Sequence, residues 1–512
     1  MSGKVARLTR FFFIIFLIFC ISGSVAVCGE DKIELVKPDR DLWVNAGDQV
    51  QITVKGPCRS QGSFSIIPFV KSAPLCEERP GFYTGAVRID GIFEKAVEGT
   101  LSVSFSGKKG MELPRKIRIL SSVIPTVGSC IVEKGILRAG PDDDFDRIGE
   151  LPPGVNVEIT GKYGEWYRIR PGGAEFWISE RSIRLLPEGA LSDEPVLKGI
   201  TSCREGSASV IELSLDGRCA YSLSETLSPP AVCLVLYGAS SSVLEEVYRP
   251  ENNVISHIDF AMNSPGRIAL RINLTGSSIW GYESGFNGNL FSLKLKAAPV
   301  LEERGSLGGL TIIVDPGHGG RDPGAVGKGG LEEKKANLAL ALELRNLLEN
   351  SGAAVVLTRD IDCDMTPPGS SVAEGLQARV AKGKECKGDI FVSIHNNAKA
   401  DVAEGRIARG TYTYFYHPHS LELARAINAN LSGDLSEVKS GHIARSFHVI
   451  RQSYMPAVLV EVTFISNPGE EIKLRDESYI KRAARSIYKG IVDFAESSCR
   501  YLQEINDGGK GK

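Results

Sequence analysis

The stretch T-I-I-V-D-P-G-H-G-G, residues 311–320, joins a hydrophobic strand pattern to a loop of proline, glycine and histidine. In α/β sheets, ligands and catalytic groups collect beyond the carboxyl ends of strands, so His318 would lie where such a site forms. A glycine-rich loop before a helix could also cradle phosphate. This loop matches neither phosphate-binding pattern, and Pro316 and Pro323 lack the amide hydrogens that a phosphate needs. Two interpretations of this stretch therefore remain: a tight turn that contains a histidine, or one corner of a metal site.

Strand and helix patterns alternate from Leu310 onward, which predicts a three-layer α/β domain. The strand patterns are T-I-I-V, A-A-V-V-L-T-R, D-I-F-V-S-I-H, T-Y-T-Y-F and A-V-L-V-E-V-T-F-I. The clearest helix runs from Glu333 to Asn350, where leucine and alanine form an apolar stripe that ends before Ser351-Gly352. Further helices are predicted near 372–386, 419–432 and 477–496.

Four polar residues occupy the ends of these predicted elements. His318 and His395 follow strands, Glu333 begins the first helix, and Glu461 lies in the last strand between two valines. Two histidines and one carboxylate make a catalytic zinc set whose fourth position is open for water, and zinc brings the pKa of that water to about 7. Glu461 would take the proton of the water and return it to the leaving group. Singly, a strand-end histidine or a first-turn glutamate also has an ordinary structural explanation.

Residues 310–496 resemble the zinc-dependent N-acetylmuramoyl-L-alanine amidase family. The shared motifs are I-I-V-D-P-G-H-G-G-R-D-P-G-A, G-G-L-E-E-K, V-L-T-R-D, F-V-S-I-H-N-N-A and P-A-V-L-V-E-V-T-F-I-S-N-P, in the order of the family. The resemblance implies that His318, Glu333 and His395 bind Zn²⁺ and that Glu461 is the catalytic residue. Departures at Asn397 and at Val462-Thr463 remove no functional position.

This resemblance implies an exported peptidoglycan hydrolase that cleaves the amide between N-acetylmuramic acid and L-alanine with zinc-activated water. Two alternatives stay open. One is a zinc peptidase acting within the stem peptide, and the other is an inactive scaffold that binds the wall. The presence of all four predicted site residues argues against an inactive scaffold. Peptidoglycan is the expected partner, and an activator protein stays open.

Three β-rich modules are predicted upstream. Short strands separated by Gly, Pro and Asp in residues 30–121 predict a β-sandwich. Residues 123–187, with G-I-L-R-A-G-P and E-W-Y-R-I-R, resemble the bacterial Src-homology-3-like domain, which implies a small barrel that often holds wall peptides. A spacer with a core tryptophan is the alternative. Residues 192–298 resemble the AMIN domain, a β-module found beside exported wall hydrolases. Residues 299–308 are the predicted linker, 309–498 the catalytic domain and 499–512 a tail.

Composition and the N-terminal sequence restrict the possible functions further. The 512 residues include 60 Lys+Arg and 62 Asp+Glu. This balance lacks the excess of positive charge that is typical of nucleic-acid-binding proteins. Residues 1–27 combine Lys4, Arg7 and Arg10 with an apolar run and small residues, which predicts a signal peptide. An uncleaved anchor is the alternative. No later stretch could cross a bilayer, so we expect an exported protein of the periplasm or cell envelope, without an integral membrane segment after signal cleavage.

The cysteines offer local disulfide candidates, with free thiols as the alternative. The candidate pairs are Cys58 with Cys76, Cys203 with Cys219 or Cys233, and Cys363 with Cys386.

The other histidines and three arginines receive structural interpretations. The histidines predicted not to bind metal are His257, His417, His419, His442 and His448. Arg359 and Arg379 are predicted to form structural ion pairs. Arg451 is a candidate contact for a carboxylate of the wall peptide.

Overall fold

The computed structural model describes residues 32–106, 110–243, 247–250, 254–301, 303–399, 408–435, 440–452 and 454–501. The predicted signal peptide lies outside the described residues. The chain forms two compact units, one of residues up to 125 with 160–164, and one of residues 126–159 with 165 onward. Among the described residues, no helix has the length and apolar character needed to span a membrane.

The N-terminal unit consists mostly of short antiparallel strands, and buried and exposed residues alternate along strands such as Gln49–Lys55. Its strands are β1 (Glu34–Lys37), β2 (Leu42–Val44), β3 (Gln49–Lys55), β4 (Gly62–Ile67), β5 (Val70–Arg79), β6 (Phe82–Arg88), β7 (Val97–Phe105) and β8 (Met111–Ile119). One series of pairings joins β1, β3, β6 and β5, and another joins β5, β4, β7 and β8. The region is β-rich, as predicted, and its assignment as a β-sandwich stays a prediction.

A second group of short strands covers residues 127–185. They are β9 (Val127–Cys130), β10 (Gly135–Arg138), β11 (Arg147–Leu151), β12 (Asn156–Tyr163), β13 (Trp166–Ile169), β14 (Phe176–Ser179) and β15 (Ile183–Leu185). Strand β9 pairs with β12 and β15, and β14 pairs with β10 and β13, all antiparallel. Leu137, Ile169 and Ile178 are fully buried, and Trp166 is largely buried as well.

The second β region, residues 196–295, has two sheets that enclose an apolar core. Its strands are β16 (Val196–Glu205), β17 (Ala208–Leu215), β18 (Ala220–Leu227), β19 (Pro230–Tyr237), β20 (Ser240–Ser241), β21 (Val247–Tyr248), β22 (Ile255–Ser264), β23 (Arg267–Leu274), β24 (Tyr282–Asn287) and β25 (Leu290–Leu295). One sheet has the order β20-β16-β17-β25-β24. The other is formed by antiparallel pairings from β18 through β19 and β23 to β22 and β21.

The C-terminal domain is built on a six-stranded sheet of order β28-β27-β29-β32-β30-β31. The strands from residue 300 onward are β26 (Val300–Leu301), β27 (Thr311–Pro316), β28 (Ala354–Leu357), β29 (Ile390–Asn397), β30 (Thr411–Phe415), β31 (Ser440–Ala444), β32 (Ala457–Phe464) and β33 (Arg500–Tyr501). The helices are α1 (Glu333–Asn350), α2 (Val372–Glu385), α3 (Leu421–Asp434), α4 (Pro468–Leu474) and α5 (Glu477–Ser498). The four strands from β28 to β32 are parallel, and β30 runs antiparallel to β32.

Helices cover both faces of this sheet. Residues of α1, α3 and α5 share one core with β27, β29 and β32, while α2 packs against the opposite face through Val380 and Leu376. The central strands are therefore buried on both sides, which explains their continuous Val/Ile/Leu runs. The predicted α/β class is confirmed, and the predicted α1 has the observed bounds. Strand β31 and helix α4 were not predicted.

The disulfide candidates are wrong. Cys58 is disulfide-bonded, but its partner is not Cys76, which has a free thiol. The members of the other two candidate sets are also free thiols, namely Cys203, Cys219, Cys233, Cys363 and Cys386. Free thiols, the alternative interpretation, describe these residues.

Candidate active site

The loop after β27 holds His318 in a strained backbone conformation. Its φ is 62°, a left-handed value that is uncommon for residues other than glycine. Two arginines fix the loop by donating to its carbonyl oxygens. Arg359 Nε lies 2.8 Å and Arg379 Nη2 2.6 Å from the His318 oxygen, and Arg359 Nη2 lies 2.9 Å from the Gly317 oxygen. Such strain persists only where the surroundings over-determine it, and here they present the His318 ring beyond the strand end.

The two arginines have different electrostatic roles. Arg379 pairs with the buried Asp315 at 2.6 Å, as predicted. Burial opposes the charge of Asp315, but Arg379, Thr358 and Ser393 outweigh it and hold the pKa of Asp315 below its usual range. The ion pair predicted for Arg359 is replaced by hydrogen bonds to five main-chain carbonyls. A guanidinium suits this task because its donors are fixed in one plane.

The structure brings His318, Glu333 and His395 together; we call them the first cluster. Glu333 begins α1 and lies between the two rings, with Oε2 3.2 Å from His318 Nε2 and Oε1 3.0 Å from His395 Nδ1. One ligand atom from each residue lies within 4.8 Å of the others. Asp322, which sequence reasoning missed, accepts from His318 Nδ1 at 2.8 Å. This bond fixes the ring so that Nε2 faces the cluster.

The electrostatics of the first cluster favour positive charge. Burial works against the imidazolium of His318, yet Glu333 and Asp322 raise its pKa to about 9. Burial also works against the carboxylate of Glu333, but the two histidines hold its pKa far below its usual value. The raised pKa of His318 reports a negative potential at its ring, and the lowered pKa of Glu333 keeps this carboxylate charged, so a cation would be stabilised between the rings.

Glu461 lies beside the first cluster on β32. It is the register partner of His395 on β29, so the two side chains leave the sheet on the same face. Its Oε2 is buried and has no hydrogen-bond partner among the described residues. Burial raises the pKa of Glu461 to about 7. A carboxyl group with this pKa can both accept and donate a proton near neutrality.

Two asparagines support Glu333 and were also missed. Asn337 follows Glu333 by one helical turn on the buried face of α1, and its Nδ2 donates to Glu333 Oε1 at 3.2 Å. The main-chain amide of Asn396 donates to the same oxygen at 3.1 Å, and its side chain bonds Asn337. The sequence does contain a signal for this support, because Asn337 is a polar residue in the apolar stripe of α1, four residues after Glu333.

Two glycines permit the close approach of these groups. A Cβ on Gly317 would lie 2.1 Å from His395 Cε1, and one on Gly324 would lie 2.6 Å from His318 Cδ2. Gly324 also has a φ of 66°, which favours glycine. The glycines next to His318 therefore make room for the site.

The remaining candidate positions lie elsewhere. Arg451 precedes the amino-terminal end of β32, whereas Glu461 lies toward its carboxyl end, so the structure does not bring Arg451 to the first cluster. Its main-chain oxygen accepts from His417 Nε2 at 2.7 Å. His417 and His419 instead meet Glu225, the second group of residues in the described chain whose donors could hold a metal.

The donor set of the first cluster fits a catalytic metal. Two imidazoles and one carboxylate are the ligands of a zinc site with an open position, and an unpaired carboxylate oxygen lies next to them. Residues 312–493 match the family model described as N-acetylmuramoyl-L-alanine amidase. A bacterial SH3 domain model matches residues 133–184.

Curated relatives support the same assignment. The probable cell wall amidase LytH of Staphylococcus aureus is 31% identical over 43% of this chain and 69% of its own length. The chain belongs to the N-acetylmuramoyl-L-alanine amidase family. The uncharacterized protein YqiI of Bacillus subtilis is 38% identical over 40% of this chain and 93% of its own length. The N-acetylmuramoyl-L-alanine amidase LytC of Bacillus subtilis is 36% identical over 40% of this chain.

The family assignment covers the C-terminal domain. The match spans only 39% of the length of LytC. The domain from β27 to α5 is thus a peptidoglycan amidase domain, a hydrolase of an amide bond, preceded by a β-rich region that includes a bacterial SH3 domain.

Proposed function

We propose that the whole protein is an exported, zinc-dependent N-acetylmuramoyl-L-alanine amidase of the cell envelope. It would hydrolyse the amide between the lactyl group of N-acetylmuramic acid and L-alanine of the stem peptide. The observation that carries the proposal is the unpaired, buried Glu461 oxygen beside two histidines and a carboxylate. Family membership supports the substrate class.

In this proposal His318, Glu333 and His395 hold the zinc ion. Bound there, zinc supplies a Lewis acid for the amide carbonyl and lowers the pKa of water. Glu461 takes the proton of the attacking water and gives it to the departing amide nitrogen, a task suited to its pKa of about 7. Asp322 keeps His318 Nε2 directed at the site, and the asparagines behind Glu333 keep its carboxylate in place.

The upstream modules would place this activity on the wall. We propose that residues 30–121 are a β-sandwich, 123–187 a small barrel that holds wall peptides and 192–298 an AMIN-like domain that orients the enzyme on peptidoglycan. These domain boundaries, the linker 299–308 and a location in the periplasm are part of the same proposal.

Zymography on purified sacculi with Glu461→Ala tests the proposal. The variant should bind zinc as the native protein does but release no stem peptide, because the proton carrier is lost. Mass spectrometry of the native products should show peptides that begin with L-alanine and glycan with free lactyl carboxyl groups. Cleavage inside the stem peptide would instead identify a peptidase.

Glu422→Ala is the matched control, because Glu422 is an exposed glutamate whose side chain is 56% accessible on α3. It should keep full activity. Release of stem peptide by Glu461→Ala at the native rate would show that Glu461 does not carry the proton.

A further inference from the structure

A second group of two histidines and one glutamate lies at the junction between two parts of the chain. Glu225 is on β18 of the second β region, and His417 and His419 flank Pro418 between β30 and α3 of the C-terminal domain. We call these three residues the second cluster. The side chains of Glu225 and His419 are 1% and 0% exposed, and that of His417 is 17% exposed. Three polar groups are thus withdrawn from water at a junction, which is costly unless they are paired or bind a metal.

The junction itself is formed by other contacts as well. Trp280 of the second β region is buried in the core of the C-terminal domain, and its Nε1 donates to the Ser498 oxygen at 3.1 Å. Lys296 pairs with Asp389 at 2.7 Å. The second cluster therefore lies in an interface whose geometry is already fixed, so its three side chains are held in place by their surroundings.

Hydrogen bonds determine which ring nitrogens point into the second cluster. His417 Nε2 lies 2.7 Å from the Arg451 oxygen, and His419 Nε2 lies 3.4 Å from the Met455 oxygen. A main-chain carbonyl only accepts, so Nε2 of His417 carries the hydrogen and its Nδ1 has the lone pair in the neutral ring. Nδ1 of His419 carries a hydrogen toward the Glu225 carboxylate, which a metal ion would displace. The second nitrogen of a metal-binding histidine commonly donates to a carbonyl in this way.

Both Nδ1 atoms face the same carboxylate oxygen. Glu225 Oε1 lies 2.8 Å from His419 Nδ1 and 3.7 Å from His417 Nδ1. The other oxygen, Oε2, accepts from the main-chain amide of His419 at 2.8 Å, so the carboxylate cannot turn away. The two rings are parallel, with an interplanar angle of 6° and centroids 5.3 Å apart. Tyr282 lies edge-on to both rings and hydrogen-bonds Glu225 from behind.

These distances suit a small divalent ion. Zinc binds imidazole nitrogen and carboxylate oxygen at about 2.0–2.2 Å in a tetrahedron, so its ligand atoms lie roughly 3.3–3.6 Å apart. The distance of 3.7 Å between His417 Nδ1 and Glu225 Oε1 is close to this range. The distance of 2.8 Å between His419 Nδ1 and Glu225 Oε1 is that of a hydrogen bond and would lengthen when a metal ion replaces the hydrogen. Without a cation, the Nδ1 lone pair of His417 faces an anionic oxygen 3.7 Å away.

We propose that Glu225, His417 and His419 bind a second divalent transition metal ion, best matched by zinc, which fastens the second β region to the C-terminal domain. Nitrogen and oxygen ligands of this kind suit first-row metals and not calcium or magnesium. Because its side chains are almost fully buried, this site is structural and takes no substrate. It does not rest on the proposed amidase function, since the three residues lie outside the first cluster.

Metal analysis of the full chain separates the two sites. The native protein should contain about two zinc equivalents, and a His318→Ala/His395→Ala variant should keep about one. Adding Glu225→Gln, or separately His417→Asn, to that variant should remove the remaining ion. His442→Asn is the matched control, because His442 is an exposed histidine on β31 of the same domain, and it should leave the count unchanged.

Two results would overturn the proposal: a native protein with a single equivalent that Glu225→Gln does not remove, or a His318→Ala/His395→Ala/Glu225→Gln variant that keeps its ion. Because Glu225→Gln and His417→Asn change different ligands, a loss of the ion in both separates the site from misfolding of one variant. Hydrogen exchange tests the fastening role on the His318→Ala/His395→Ala variant. Removing its remaining zinc with a chelator should increase exchange in β18 at least tenfold while the core of α5 stays protected, and unchanged exchange in β18 would refute that role.

Discussion

The first and second clusters contain the same three side-chain types in different surroundings. The first cluster has rings at 78° to each other, with 24% of the His318 side chain and 18% of the His395 side chain exposed. The second has parallel rings and a nearly closed environment between two parts of the chain. Zinc sites with catalytic roles keep an open position, whereas structural sites are closed.

What lies next to each cluster also differs. Beside the first is Glu461, a carboxyl group with an unpaired oxygen and a raised pKa. Beside the second is Tyr282, whose pKa burial raises well above its usual value, so it stays neutral and can only support Glu225. The identity of the donors therefore does not separate a catalytic site from a structural one. The two kinds of site differ in whether water can enter and whether a group that carries a proton lies beside the donors.

Gly317→Ala should have the largest effect that distinguishes the clusters. The new Cβ would lie 2.1 Å from the His395 ring and must displace it, and a shift of about 1 Å can reduce a rate about 100-fold. We expect the rate of stem-peptide release to fall by at least about 100-fold, while the zinc of the second cluster is retained. Release kinetics on sacculi and metal analysis of the same sample measure both.

Gly433→Ala is the control for this substitution. Gly433 lies in α3, has no atom within 4 Å of an added Cβ and does not have a positive φ. Alanine there should leave activity unchanged and stability equal or higher by up to about 1 kcal/mol. Native activity in Gly317→Ala would mean that His395 does not need its observed position.

Asp322→Asn should have an intermediate effect confined to the first cluster. Asp322 accepts from His318 Nδ1, and loss of such an outer partner costs about 10-fold to 100-fold in metal affinity or activity. Titration with a competing chelator should show weaker binding of one zinc ion and unchanged binding of the other. Equal weakening of both ions would contradict the assignment of Asp322 to His318 alone.

The sequence predicted the first cluster because its residues lie at the ends of elements with strong local patterns. His318 and His395 follow buried strands and Glu333 begins α1, so the parallel sheet alone brings them to one edge. Glu225 is almost 200 residues from His417, and no local pattern links them. Their meeting depends on how the second β region packs on the C-terminal domain, which periodicity does not encode.

The missed and mistaken elements have similar causes. The edge strand β31 has exposed residues and no apolar alternation, and α4 is a short helix that starts at Pro468 after an asparagine cap. The disulfide candidates assumed that cysteines near in sequence are near in space. Cys76 is exposed on β5 and Cys386 is exposed after α2, so sequence separation was a poor guide to pairing.

The pH dependence of activity needs no substitution and again concerns the first cluster only. Burial raises the pKa of Glu461 to about 7, and the group must be deprotonated to accept the proton of water. Below its pKa the active fraction falls about tenfold per pH unit, so kcat/KM should rise with pH and then level off. A cation held by the neighbouring ligands favours the carboxylate, which places the midpoint at or below pH 7.

Measurement of kcat/KM on soluble muropeptides from pH 4.5 to 8 checks this expectation. The residual activity of Glu461→Gln should lack the rising limb, because an amide does not titrate in this range. The zinc of the second cluster should stay bound through the upper part of the range, since burial lowers the pKa of His417 to about 4 and protons do not compete for this ligand there. A native profile without a rising limb, or an identical limb in Glu461→Gln, would assign the titration to another group and leave Glu461 without its proposed role.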